Sequence, residues 1–163
     1  MTEDHETAVL TASYTEMTEM LLPDDANTLG RALGGVVLHW MDICGAIASI
    51  RFCSQQVVTA SMDHVDFISA IDIGEIATIE AYVFNTGRTS MDVKVDVRAE
   101  DPRKGESRKT TTSFLTFVAI DENGKPTEVP ELVCETNNER ALRDEAAEQR
   151  QEELQRLVER LEE

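Results

Sequence analysis

The chain has 163 residues, 41% of them hydrophobic, and its 32 acids against 15 bases leave a net charge of −17. That length suits one domain with its own core; the charge repels nucleic-acid phosphates and anionic lipid, and no run of 18 consecutive apolar residues offers a membrane span. Cys44, Cys53 and Cys134 form no CxxC, which argues against a disulfide framework or a thiolate zinc site.

The acidic balance also has a composition of its own: 11 of the 15 bases are arginine and only four are lysine. Such a surface suits high internal salt, where screening shrinks the repulsion among carboxylates. It bears on habitat rather than activity.

The opening MTEDHETAVL has neither a basic n-region nor an apolar h-region, so the cytoplasm is the expected compartment. Residues 1–6 read as a polar, frayed end. Residues 7–20 mix β-branched and polar residues and predict a first strand. The segment 21–35 holds Pro23, Asp24, Asp25, Asn27, Gly30, Gly34 and Gly35, a long turn-rich loop.

Residues 36–52, VVLHWMDICGAIASIRF, carry apolar residues at helical spacing round a wide arc. They predict a helix buried on most sides. Strands are predicted over 56–67, 75–87, 89–100 and 110–120. The third of these alternates cleanly, with Met91, Val93, Val95 and Val97 set against Asp92, Lys94, Asp96 and Arg98. Turn residues separate the strands and no helical pattern interrupts them, so the sheet should be antiparallel. One buried helix followed by such strands makes an α+β fold. The tail, from about 131 to 163, is mostly Glu, Arg, Gln, Ala and Leu, and predicts a charged, solvated helix outside the domain of residues 7–130.

The informative residue is Asp42, an acid inside an apolar helix. A buried ionised carboxylate is costly unless it is paired or wet. Its helical stripe runs Gly35, Leu38, His39, Asp42, Gly45, Ala46, Ser49, mostly small or polar, so it reads as the floor of a cleft. A structural role, pairing with a neighbouring strand, is the competing reading. Asn27 and the Gly34-Gly35 pair lie just upstream, and free amides at a helix start bind oxyanions. Carboxylate, side-chain amide and helix-start amides together could activate water and hold a tetrahedral intermediate.

Cys44 points about 200° away from Asp42 on a helix of 3.6 residues per turn, and reads as a core thiol. His39 lies three residues before Asp42; it and His64 show no metal-ligand spacing. The turn Asn85-Thr86-Gly87-Arg88-Thr89-Ser90 offers one arginine and two hydroxyls, a place for a phosphate in a chain short of positive charge.

Leu22-Pro23-Asp24-Asp25-Ala26-Asn27-Thr28-Leu29-Gly30, Gly34-Gly35, Trp40-Met41-Asp42 and Gly45-Ala46-Ile47-Ala48 follow one another in this order. Val65-Asp66-Phe67, Ile73-Gly74-Glu75 and Gly87-Arg88-Thr89-Ser90-Met91 come after them. Together they resemble the hotdog-fold acyl-coenzyme A thioesterases, the cytosolic acyl-CoA hydrolase branch among them. The resemblance implies a long central helix wrapped by a curved antiparallel sheet. It implies a homodimer, assembled further into a hexamer as a trimer of dimers, with active sites between protomers. Asp42 would be the catalytic acid, as general base or nucleophile, with Asn27 facing it from the opposite protomer. Gly35 would supply an oxyanion-hole amide, and Arg88, Thr89 and Ser90 would contact coenzyme A. No metal and no cofactor beyond the substrate's own CoA are implied. The basic clusters that often hold the CoA 3′-phosphate are thin, with Arg103, Lys104, Arg108 and Lys109 as candidates. Ser69-Ala70 stands where the family often has a proline. Two other chemistries share this fold: a non-catalytic acyl-CoA-binding module, and a dehydratase or hydratase using His39 or His64.

Overall fold

The computed structural model describes residues 6–163; the polar segment 1–5, with His5, lies outside the described residues. The elements run β1 (Thr7–Val9), α1 (Leu10–Ser13), β2 (Thr15–Met20), a 3-10 turn at Pro23–Asp25, α2 (Gly34–Cys53), β3 (Gln56–Met62), β4 (Ile76–Thr86), β5 (Ser90–Asp101), β6 (Glu106–Ile120), β7 (Glu131–Val133) and α3 (Asn137–Glu162). Five strands form one antiparallel sheet in the order β2-β4-β5-β6-β3. It curls round α2 in the hotdog arrangement that the family resemblance implies.

The period-two alternation of β5 places Met91, Val93, Val95, Val97 and Ala99 on the concave face, all fully buried against α2. Val37, Trp40, Met41, Cys44 and Ala48 meet them from the helix. Each large side chain buried there stabilises by roughly 1.5–3 kcal/mol. By length and hydropathy α2 would pass for a membrane span, but half of it is buried as the core helix of this sheet. Helix and sheet approach closely at Gly45: a Cβ there would stand 2.8 Å from Cε2 of Phe117. The helix stops at Ser54, whose left-handed backbone (φ 56°) returns its N–H to the Ile50 carbonyl at 2.7 Å.

Three β-bulges interrupt the ladders. Between β3 and β6 the register shifts at Ala60, between β4 and β5 at Phe84, and between β5 and β6 at Thr110. A bulge leaves one residue unpaired, bends its strand and re-aims side chains.

The structure departs from the sequence reading in three places. The first predicted strand is split by the single turn α1, and β1 pairs in parallel with β7, a strand the sequence did not signal. The strand predicted over 56–67 ends at Met62, and residues 63–72 continue as a non-strand segment beside β6. The tail is helical as predicted, yet its first half is docked rather than solvated. Leu142 and Ala146 pack against Leu10, Tyr82, Phe84 and Phe114. Thr136 caps the helix by accepting the Glu139 N–H at 3.1 Å, and the Glu139 carboxylate, 2% exposed, accepts from Thr11 N and Glu135 N. The Thr136 cap, with Glu139 reaching back one residue beyond it to the Glu135 amide, turns a charged helix start into a buried anchor.

Candidate active site

Asp42 sits on the second turn of α2 after Gly35, and its stripe of small residues leaves it half-buried at the edge of the sheet. The carboxylate has one partner: Thr59, on the edge strand β3, donates its hydroxyl to Oδ1 at 2.6 Å. Thr59 pairs with Phe117, which faces α2, and so Thr59 faces α2 as well. Sequence reasoning missed Thr59. The signal available was strand parity: a polar residue on the inward face of a strand following the helix that bears a polar stripe.

Asn27 lies in the loop before α2. Its Oδ1 accepts from Leu29 N (2.9 Å) and Arg31 N (3.2 Å). Two backbone donors can meet only the oxygen, which fixes the amide orientation and leaves Nδ2 free to donate. No side chain caps the start of α2 at Leu33, so the amides of Gly34 and Gly35 are exposed donors at the positive end of a 20-residue helix.

These groups do not converge in one chain. Gly35 and Asp42 are seven residues apart, two turns and about 10.5 Å along the axis. A thioester carbon needs its base and its oxyanion donors each at about 3 Å, directly or through one water. Asn27 and Gly34 line a cavity of about 410 Å³ with Val37, Phe67, Ile71 and Thr110, and Asp42 is not part of that lining. The outer edge of β3, which carries Thr59, is unpaired among the described residues.

The turn Arg88-Thr89-Ser90 is the β4–β5 hairpin, closed by Gly87 N donating to Ser90 O at 2.9 Å. Of these three residues Arg88 alone lines a separate cavity of about 510 Å³, with Glu6, Glu128 and Glu131; Thr89 and Ser90 are not part of that lining. Arg88 stands 3.9 Å from Glu128, both side chains well exposed. Such a pair is weak, on the order of 0–1 kcal/mol, and leaves the guanidinium free to take another anion. Arg108 is not free for a CoA phosphate. It forms a two-pronged ion pair with Glu75 at 2.6 and 2.7 Å, and holds the Glu75 carboxyl below its ordinary range.

Cys44 is a core thiol: it donates to the carbonyls of Thr15 and Ile79, and burial pushes its pKa up to about 12. His39 is exposed beside Asp42. His64 contacts Asp66 at 2.8 Å and borders a third cavity, under α3, with Gln149 and Arg156. Neither histidine is joined to Asp42 by a hydrogen bond. Among the described residues no three His, Cys, Asp or Glu side chains cluster to hold a metal ion.

Residues 29–106 match the model of the thioesterase superfamily. The chain is 40% identical over 137 residues to the uncharacterized acyl-CoA thioester hydrolase YkhA of Bacillus subtilis, covering 84% of this chain and 80% of that protein. It is 35% identical over 135 residues to the cytosolic acyl coenzyme A thioester hydrolase of Rattus norvegicus; the match covers 80% of this chain and 35% of the rat protein, a much longer chain. Among solved structures, an apo hexameric acyl-CoA thioesterase superposes with a TM-score of 0.83 at 39% identity, over 93% of this chain and 97% of that one. The acyl-CoA hydrolase of Staphylococcus aureus, in complex with butyryl coenzyme A, coenzyme A and coenzyme A disulfide, superposes with a TM-score of 0.78 at 31% identity. That match covers 96% of this chain and 99% of the S. aureus chain.

Proposed function

The chain belongs to the acyl-CoA thioester hydrolases of the thioesterase superfamily, and from that premise we propose that it hydrolyses acyl-CoA to a free carboxylic acid and coenzyme A, with Asp42 as general base. The observation that carries the residue assignment is the Thr59–Asp42 hydrogen bond, which occupies Oδ1 and leaves Oδ2 for a water. Asp42 takes a proton from that water, the oxygen adds to the thioester carbon, and the carbonyl oxygen becomes an oxyanion. The Gly35 amide and Asn27 Nδ2 donate to it. Collapse of the intermediate breaks the C–S bond and expels the CoA thiolate. An ordinary thiol has a pKa of about 8.5, so this leaving group needs little help.

The 10.5 Å separation, roughly, between Asp42 and the helix start within one chain supports a shared site. A second copy adding at the free edge of β3 brings its Asn27 and helix start toward Asp42, and a C2 pairing makes two such sites. We place the protein as a homodimer within a trimer of dimers, a reading that the hexameric state of a solved relative supports. Arg88, Thr89 and Ser90 contact the CoA phosphates, Arg88 exchanging Glu128 for phosphate. The reaction runs in the cytoplasm, as the rat relative's name has it for that protein.

The test is thiol release from acyl-CoAs, acetyl to palmitoyl, in low salt and in molar KCl, with wild type beside Asp42→Ala. Loss of turnover in Asp42→Ala with an unchanged circular dichroism spectrum supports the assignment. Binding without turnover in the wild type at any salt overturns the enzyme and leaves an acyl-CoA-binding module.

A further inference from the structure

Thr110 is the residue in this fold with the least local reason to be polar. It is the extra residue of the β5–β6 bulge: Val97 pairs with Thr111 and Arg98 with Lys109, and Thr110 is passed over. Thr110 is 1% exposed, and its Oγ1 is buried without a hydrogen-bond partner among the described residues. An unpaired buried hydroxyl is costly, since it gives up its water partners for nothing. A valine would fill the same volume without that cost, so the hydroxyl has no structural reason to be there.

Thr110 forms part of the wall of the 410 Å³ cavity that also holds Asn27 and Gly34. The cavity is built rather than incidental. Its outer wall, residues 66–71, is laced to β6 at four consecutive points. Thr111 Oγ1 donates to Asp66 O at 2.6 Å, and Ile68 N to Thr110 O at 2.9 Å. Ser69 Oγ donates to Lys109 O at 2.8 Å, and Arg108 reaches Ala70 O while gripping Glu75. The bulge thus sets Thr110 within the lacing, between the apolar walls of Ala32, Val37, Phe67, Ile68 and Ile71; Asn27, Arg31 and Ser69 complete the polar lining, Ser69 already donating to Lys109 O.

We infer that this cavity receives the acyl chain of the substrate and that Thr110 selects chains bearing an oxygen substituent, a hydroxyl or oxo group. The inference rests on the acyl-CoA reading above. Asn27 and Gly34 line this cavity, so a thioester oxygen held by Asn27 brings one arm of the substrate to it. The pantetheine arm is the other candidate. It carries two amides, and with Asn27 on the thioester oxygen and Ser69 donating to Lys109 O only Thr110 and Arg31 are left to meet them. One unpartnered buried hydroxyl between apolar walls matches a chain with one oxygen. A threonine interchanges its methyl and hydroxyl by one χ1 rotation, so Oγ1 reaches the occupant with no movement of the backbone.

The experiment compares kcat/KM for hexanoyl-CoA and its 3-hydroxy, 3-oxo and 5-hydroxy derivatives in wild type, Thr110→Val and Thr110→Ser. The expected result is a wild-type preference of about tenfold for at least one oxygenated chain, the worth of one neutral hydrogen bond at the upper end. That preference is lost in Thr110→Val and kept in Thr110→Ser. The melting temperature of Thr110→Val should equal or exceed that of wild type, because an unpaired hydroxyl is removed. No oxygenated chain preferred in the wild type, or a preference that survives in Thr110→Val, overturns the inference. If no acyl-CoA is hydrolysed at all, the acyl-CoA hydrolase reading fails separately. The same four ligands are then compared by calorimetric binding to wild type and Thr110→Val, where equal affinities in the two proteins overturn the selection by Thr110.

Discussion

Thr59 on the edge strand and Asp42 on the central helix meet at 2.6 Å, joining the outermost strand of the sheet to the one carboxylate of the helix interior stripe. The bond sits next to the Ala60 bulge, which bends β3 just beyond Thr59. It holds the carboxylate in one orientation, which a positioned general base needs. Thr59→Val should therefore lower kcat about tenfold with little change in KM, the cost of a misplaced base. Asp42→Asn should cost about 10²–10⁴ in kcat, the range for a positioned base. Steady-state kinetics check both. An unchanged kcat in Thr59→Val would show that the hydroxyl does not position the acid.

A site assembled from two chains predicts complementation. Asp42→Ala and Asn27→Ala, each inactive alone, should regain about a quarter of wild-type activity when co-expressed and randomly paired, because a mixed C2 dimer keeps one intact site of two. Zero recovery in dimers shown by mass spectrometry to be mixed would place both groups in one chain's site.

The fold was legible where side-chain period alone decides structure. The alternation in β5 and the apolar arc of α2 gave the concave face almost residue by residue, because both patterns are local. Pairings that depend on distant chain could not be read this way. β1 with β7 joins segments more than 120 residues apart through three residues each. The docking of α3 rests on Glu139, an acid whose burial makes sense only once Thr11 N is beside it. In the site, Asp42 announced itself by breaking an apolar run, whereas Thr59 and Thr110 are ordinary strand residues in sequence. Their roles follow from parity and from a bulge, which no local pattern displays.

Two buried carboxylates link stability to acid. Glu75 has its pKa lowered by the Arg108 hydrogen bonds, and Glu139 by the Thr11 backbone N–H. Both folded-state values lie below the ordinary one of 4.5. A depressed carboxyl pKa contributes stability that is complete above the unfolded value and is lost as pH falls through the folded one. The melting temperature should thus drop between pH 5 and 3 more steeply in wild type than in Glu75→Gln or Glu139→Gln. Parallel curves would show that neither group carries the acid sensitivity.

Gly45 fixes the distance between α2 and the sheet. A methyl there would stand 2.8 Å from Cε2 and 3.0 Å from Cζ of Phe117, a ring with no exposed edge to swing toward. Gly45→Ala should lower stability by about 1–3 kcal/mol, the usual cost of overpacking, despite the gain in helix propensity. Urea unfolding measures it. A stability equal to wild type would mean that the helix lifts freely.

Arg150 latches α3 to the sheet. Its guanidinium reaches Asp63 at 3.1 and 3.4 Å and Asp92 at 3.1 Å, with side chains only 22%, 15% and 16% exposed. Asp92 is further held by Thr116 and Asn85, both at 2.8 Å, so it cannot turn away when its cation is lost. Arg150→Ala leaves two half-buried carboxylates facing a cavity with no counter-charge. Truncating one partner of a buried pair costs about 3–5 kcal/mol; partial solvent access lowers the expected loss to about 2–4 kcal/mol. Adding Asp63→Asn to Arg150→Ala should recover part of that loss, since it removes one of the stranded charges. Molar KCl should recover part too, by screening what remains. Urea melts of the single and double variants at low and high salt decide the matter. A double variant less stable than Arg150→Ala would mean that Asp63 serves the fold through contacts other than this arginine.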